Sequence, residues 1–511
     1  MTLIRCVIDY FENNKAPLGN FIASFLFFVL LRNFTEVYAT HQDLYLMQTL
    51  TYSPFYIALA CWLIFLICLF TKADVVKVSK MVFAFHAIIL LPPIIDILFS
   101  TGSAVRMRYF SLSGWESLFK QYVMMGTGQN SMGQRIEVVI AVIGSFIYFF
   151  SKNNRWFLSG MYALAIYTCI FCFAIGLSLL NSFFQWLHIA HTPSQDYFFL
   201  ARLYFISTAI CVVLLFYLHN KEKFKMLLYD LRALRIIHYL LMVVLGFVLL
   251  RYRTPEQISV PLVITTESFF YFFLIPISIV FAAVFTIISN NVEDLAIDRI
   301  SNPNRPLVSN RIAEKEYMII GYIALALSLI ASILVNRSCF IFMGLIIGNY
   351  YLYSNPPFKL KRIPVLSKLI VGINSAFMAL MGYTVFGGAV LTFPPEFLFF
   401  LVVCLGLSSN FIDLKDYEGD KSFGIKTLPV LLGLRVSKMV ISLFTVFSYV
   451  VFYFIIRNYI SHLWLLTPMP LLLAAHLFYL NKKEFKEVPV FLIYLAGIIG
   501  VIIIMLADSF L

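Results

Sequence analysis

Long apolar runs recur along the whole chain, and they decide what it can fold into. Six lie at roughly 17–38, 53–71, 81–100, 136–151, 156–181 and 197–218. Nine more lie at roughly 236–251, 266–290, 315–335, 337–354, 364–388, 393–412, 435–457, 462–480 and 489–509. Each is near the ~20 residues that an α-helix needs to cross a hydrocarbon core of about 30 Å. In lipid a backbone must satisfy its own hydrogen bonds, which a helix does within one segment. The expectation is an all-α, polytopic membrane protein. Composition agrees: only 13% of the 511 residues are charged and 61% are hydrophobic, whereas soluble domains carry about a quarter charged residues. Most of the eight cysteines fall inside the apolar runs without metal-site spacing, so Cys169-x-x-Cys172 reads as core. No cleavable signal peptide is expected at the polar N-terminus.

The net charge of +12 is explained by loops rather than by a nucleic-acid partner. Lys72, Lys77 and Lys80, then Lys152 and Arg155, the stretch 219–235, Lys359–Arg362 and Lys482–Lys486 fall on one side of the membrane. The opposite loops 39–52, 182–196 and 389–392 have almost no Lys or Arg. By the positive-inside rule the basic side is cytoplasmic, and a multi-pass protein of the cell membrane is expected. Loop 101–135, with Arg106, Arg108, Lys120 and Arg135, runs against the rule; either a surface helix around Trp115–Met125 or a different number of spans before it accommodates this.

Two acidic stretches stand on that cytoplasmic side. In Asn290–Arg311, Asn290, Asp294 and Asp298 recur every four residues, which places them within an arc of about 80° if the helix continues. In Asp413–Asp420, Asp413, Asp416 and Asp420 stand at i, i+3 and i+7, again one helical face. Carboxylates at a membrane boundary are costly unless they bind something positive. Mg²⁺ prefers such hard oxygen donors and commonly shares them with substrate phosphates. Arg299, Arg305, Arg311, Lys421 and Lys426 stand around them, a composition suited to a metal–diphosphate rather than a bare cation.

These residues carry a family resemblance. From about Arg235 onward the chain resembles the UbiA superfamily of intramembrane prenyltransferases. The first Asp-rich motif is matched by Asn290, Asn291, Asp294 and Asp298, followed by N-P-N-R-P-L-V-S over Asn302–Ser309. The second is matched by Asp413 to Pro429. A third match is Tyr353-Ser-Asn-Pro-Pro-Phe-Lys-Leu-Lys-Arg362. Asn291 departs from the pattern, standing where the first motif usually has Asp, and Ser408, Ser409 and Ile412 stand where related members often have Arg, Glu and Lys.

The resemblance implies a nine-helix UbiA-like bundle preceded by about six additional transmembrane helices. Residues 1–218 are then an N-terminal transmembrane domain without a recognised motif, 219–235 a basic cytoplasmic connector, and 236–511 the prenyltransferase domain. It implies Mg²⁺-dependent transfer of a prenyl group from an isoprenyl diphosphate to a lipophilic acceptor within the bilayer. Asp294, Asp298, Asp413, Asp416 and Asp420 are the implied metal ligands. Asn290, Arg305, Lys359, Lys421 and Lys426 are candidates for phosphate contacts, and Tyr353 for cation–π stabilisation of an allylic cation. Two other readings stay open. One is a terpene cyclase acting on the diphosphate alone; the other is a lipid-binding or transport protein without chemistry. In the first 218 residues, Asp96 and His86 are the conspicuous intramembrane polar groups, and either a site or a helix end accounts for them.

Overall fold

In the computed structural model, residues 2–40, 46–99, 115–126, 130–189, 196–253, 265–301 and 303–508 are described. Arg106, Arg108, His191 and Asn302 lie outside these residues. Every regular element among the described residues is helical. Fourteen helical stretches among them are long and apolar enough to cross a membrane, six before residue 220 and eight after it. The chain divides into two compact units, Met1–Phe224 with Val263–Tyr271, and Lys225–Leu262 with Phe272–Leu511.

The first unit contains α1 (Thr2–Glu12), α2 (Leu18–Thr40), α3 (Leu46–Thr71), α4 (Val75–Phe85), α5 (Leu91–Phe99), α6 (Trp115–Val123), α7 (Met132–Asn153), α8 (Trp156–Ala174), α9 (Gly176–Trp186) and α10 (Asp196–His219). Its core gathers on α3, where Phe55, Tyr56 and Ile64 are buried with Val78 of α4, Phe149 of α7 and Tyr204 of α10. The span expected at 81–100 runs from Val75 to Phe99. It passes through a 3₁₀ segment, His86–Leu90, just before Pro92 and Pro93. Prolines lack the N–H that a regular α-helical ladder needs, so the helix tightens there. The run expected as one span at 156–181 breaks at Ile175 into α8 and α9. There the Tyr204 hydroxyl donates to the Phe173 carbonyl (2.8 Å), and any side chain at Gly176 would crowd that hydroxyl. Asp96 accepts from the first turn of α7 at Gly133 N (2.9 Å), a helix-end role. The surface helix expected around residue 115 is α6.

The second unit begins within α11 (Lys221–Asp230), followed by α12 (Ala233–Arg253), α13 (Thr266–Glu293), α14 (Leu295–Ser301), α15 (Glu314–Val335), α16 (Arg337–Ser354) and α17 (Leu366–Val385). A chain of short pieces comes next: α18 (Pro395–Phe399), a π segment over Phe400–Cys404, α19 (Leu405–Ser408), a 3₁₀ segment over Ser409–Leu414 and α20 (Tyr417–Ser422). Then α21 (Leu428–Ile456), α22 (Met469–Leu480) and α23 (Glu487–Asp508) complete it. The fourth of the nine spans expected here, 337–354, is present as α16. It is less apolar than the fourteen because Asn349, Tyr350, Tyr353 and Ser354 occupy its final turns. α17 is the central helix, with most of its residues buried. It meets α12 backbone to backbone, because a Cβ at Gly382 would collide with the Val243 carbonyl and one at Gly246 with that of Ala379. Small residues permit this approach where lipid offers no hydrophobic drive for helices to associate.

Candidate active site

Both acidic stretches end at one cavity of about 220 Å³ within the second unit. On one side α13 runs through Asn290 to Glu293, turns at Asp294 and resumes as α14, carrying Asp298. Backbone bonds from Asp294 N to Asn290 O (2.9 Å) and from Asp298 N to Asp294 O (2.8 Å) keep the four-residue register across the turn. On the other side, Asp413 to Asp420 is not one helical face. Asp413 lies in the 3₁₀ segment, Asp416 occupies the position just before α20 and Asp420 sits in α20. The break follows from backbone bonding: Lys415 N and Asp416 N bond three residues back, to Ile412 O and Asp413 O. All five aspartates nevertheless line the cavity, with Asn290, Arg305 and Tyr353.

The cavity wall also holds cations that the motif reading passed over: Arg232 and Arg235 at the start of α12, Lys361 after α16, and Lys368 in α17. Lys361 pairs with Asp294 and Arg305 with Asp298. Lys368 Nζ lies 2.5 Å from Asp413, with both side chains largely buried. Burial, with the Arg235 and Arg305 charges, pushes Arg232 down to about 10, so it remains charged at neutral pH and stands where an anion is favoured. Burial also lowers Lys361 against the pull of Asp294. Lys368 was readable as a lone charge inside an apolar span. Arg232 and Arg235 were hidden by their place in a basic connector, which orientation alone explains.

Lys359, Lys421 and Lys426 do not line the cavity. Lys359 pairs with Glu293 at 2.9 Å. Lys421 lies over the Tyr417 ring, and both Lys421 and Lys426 are exposed.

Asp416 and Asp420 behave differently from the paired aspartates. Burial raises Asp416, aided by Glu487, and burial with the Asp413 and Asp416 charges pushes Asp420 up to about 7. The donor set fits a divalent cation by its chemistry: carboxylates and one amide oxygen, all hard donors. Among the described residues no three such side chains converge closely enough to hold an ion by themselves. Mg²⁺ commonly takes part of its ligand set from a bound phosphate. Below the charges the wall turns apolar, with Ile279, Ala282 and Ala283 of α13, Ile346 of α16 and Met378 of α17. The tyrosines Tyr239, Tyr350 and Tyr353 stand between the two zones, and the Tyr239 and Tyr350 hydroxyls are hydrogen-bonded to each other.

The paired acidic motifs and the apolar floor named above lie within a segment, 258–498, that matches the UbiA prenyltransferase family. Residues 258–498 form a UbiA prenyltransferase family domain. The chain is similar to digeranylgeranylglyceryl phosphate synthase of Pyrococcus horikoshii. The two are 31% identical over 156 residues, 30% of this chain and 54% of that protein. The synthase of the same description from Sulfurisphaera tokodaii is 30% identical over 190 residues, 35% of this chain and 65% of that protein. The chain thus spans about half to two thirds of the length of these relatives. Among solved structures, a UbiA homologue from Archaeoglobus fulgidus bound to DMAPP and Mg²⁺ is similar. It is 20% identical, with a TM-score of 0.43, over 56% of this chain and 97% of that one.

Proposed function

We propose that the UbiA domain transfers a prenyl group from an isoprenyl diphosphate to a lipophilic or amphiphilic acceptor, with Mg²⁺ as cofactor and pyrophosphate as the second product. One observation carries this reading: five aspartates from two separated motifs share a cavity with Arg232, Arg235, Arg305, Lys361 and Lys368. That is more positive charge than a bare metal site tolerates, and more negative charge than a bare phosphate site tolerates. A metal–diphosphate balances both. Asp294 and Asp298 on one wall, with Asp413, Asp416 and Asp420 on the other, would hold Mg²⁺, which supplies Lewis acidity to the departing diphosphate.

The remaining work falls to the chain's own side chains. The arginines and lysines neutralise the charge that grows on the diphosphate as the allylic C–O bond breaks. Tyr239, Tyr350 and Tyr353 line the same cavity, where their rings would stabilise the developing allylic cation. The apolar wall holds the isoprenoid tail and keeps water from capturing the cation. The acceptor nucleophile then forms the new bond and releases its proton. The names of the relatives point to a glyceryl phosphate ether as the first acceptor to try. The basic loops support a site facing the cytoplasm, in the cell membrane.

The test is pyrophosphate release by the purified protein in detergent, given Mg²⁺, geranylgeranyl diphosphate and a panel of acceptors. Asp294→Ala and Asp416→Ala each lower the rate by at least about 100-fold, the scale of losing one charge-stabilising group. Release that persists in both variants, or without divalent metal, overturns the proposal. Hydrocarbon products from the diphosphate alone would make the protein a cyclase.

A further inference from the structure

A carboxylate from outside the family segment, that of Asp230, stands against Asn291 of the first motif. Asn291 does not face the cavity. Its Nδ2 donates to Asp230 Oδ2 (2.5 Å), at the end of α11, and to the Tyr317 hydroxyl (3.0 Å) in α15. Tyr317 in turn donates to the same Asp230 oxygen (2.9 Å). The other end of the Asn291 amide, Oδ1, accepts from Arg305 Nη1 (2.9 Å), and that nitrogen also bonds Asp298. Asn291 and Tyr317 are buried, at 2% and 0% exposure. Asn291 is therefore a two-ended clip, its amide nitrogen on the carboxylate of Asp230 and its amide oxygen on the guanidinium of Arg305.

An aspartate at position 291 could do only half of this. It would accept from Arg305 but would set a second carboxylate against Asp230 in a buried place, where like charges repel strongly. The asparagine and Asp230 thus suit each other. Asp230 also stands two residues before Arg232, so the same clip anchors the turn that presents Arg232 and Arg235 to the cavity. Asp230 precedes residue 258, where the family segment begins.

We infer that Asp230, Asn291 and Tyr317 are positioning residues for the diphosphate-binding arginines, and that Asp230 takes over the charge absent from position 291. This rests on the prenyl-transfer reading above. It predicts a reciprocal exchange. In Asp230→Asn/Asn291→Asp the hydroxyl of Tyr317 donates to the new carboxylate and accepts from the new amide, and Arg305 keeps its acceptor.

The experiment compares the full-length wild type, Asn291→Asp, Asp230→Asn, the exchange variant and Tyr317→Phe. Two readouts are taken: the unfolding midpoint in detergent, and KM and kcat for geranylgeranyl diphosphate with Mg²⁺. Asn291→Asp is expected to raise KM about tenfold, within the range of coupled neighbours, and the exchange variant to recover most of it. Tyr317→Phe, which removes one hydroxyl and no charge, shifts KM in the same direction by a smaller factor. Non-additivity in the unfolding midpoints must match that in KM. Wild-type KM and kcat in Asn291→Asp, or an exchange variant no better than Asn291→Asp on both readouts, overturns the inference. If the wild type itself releases no pyrophosphate, the prenyl-transfer reading fails. The unfolding cycle then still reports whether Asp230 and Asn291 are coupled.

Discussion

At the scale of single residues, the aspartates are not equivalent, although their motifs make them look so. Asp294, Asp298 and Asp413 are paired with Lys361, Arg305 and Lys368 respectively. Asp420 is held differently: burial and two neighbouring carboxylates push it up to about 7. A carboxyl whose folded pKa lies above its unfolded value favours the protonated, folded state. Its contribution to the stability of the metal-free protein is therefore full below the unfolded value of 3.8 and is lost as pH rises towards about 7. Metal binding needs the ionised form, so the two trends oppose each other. The apparent affinity for Mg²⁺, read as a shift of the unfolding midpoint in detergent, is expected to strengthen from pH 5.5 to 7.5 and then level off. Asp420→Asn should flatten that rise. A rise that is unchanged in this variant assigns the titration to another group. The five aspartates were legible as a candidate set from spacing and residue type, and they share one cavity. Their cationic partners were not legible, because pairing depends on side chains such as Lys361 and Lys368 that are 67 and 45 residues away in sequence.

At the scale of elements, the site depends on how closely α12 approaches α17. Arg232 stands just before α12 and Arg235 and Tyr239 lie within it at the cavity, and α17 carries Lys368 and Met378. Their contact at Gly246 and Gly382 leaves no room for a methyl group against the facing carbonyls. Gly382→Ala must therefore part the helices, at a cost of about 1–3 kcal/mol, typical of overpacking. The expected outcome is a lower unfolding midpoint together with a raised KM for the diphosphate, since both walls of the cavity move. The same substitution at Gly344, where nothing lies within 4 Å of an added Cβ, should leave both unchanged. Equal effects at the two positions would mean that helix propensity, not close approach, governs the result. Helix boundaries followed apolar periodicity well over most spans. They failed at the breaks near Ile175 and Lys415, where tertiary hydrogen bonds and a 3₁₀ turn override a pattern that reads as continuous helix.

At the scale of the whole molecule, the charged cavity lies within the second of two compact units. A chain truncated to begin at Lys221 keeps Asp230, Arg232 and Arg235, and is expected to retain Mg²⁺-dependent binding of geranylgeranyl diphosphate, measured by thermal shift in detergent. A correctly inserted truncation that binds none would mean that residues 1–220 help to build the donor site. The sequence by itself determined the membrane class, nearly every span, and the two acidic motifs. Those are local properties: apolarity over about 20 residues and carboxylate spacing over about eight are visible in one window. Only the tertiary structure decided which basic residues face the aspartates. Lys359, Lys421 and Lys426 stand near the motifs in sequence yet point elsewhere, while Arg232, Arg235, Lys361 and Lys368 line the cavity. It also decided that Asn291 faces Asp230 rather than the cavity. The reason is geometric. A turn or a 3₁₀ break rotates every side chain that follows it by an angle that residue spacing does not contain. Charges from distant helices then choose their partners by proximity and burial, not by order along the chain.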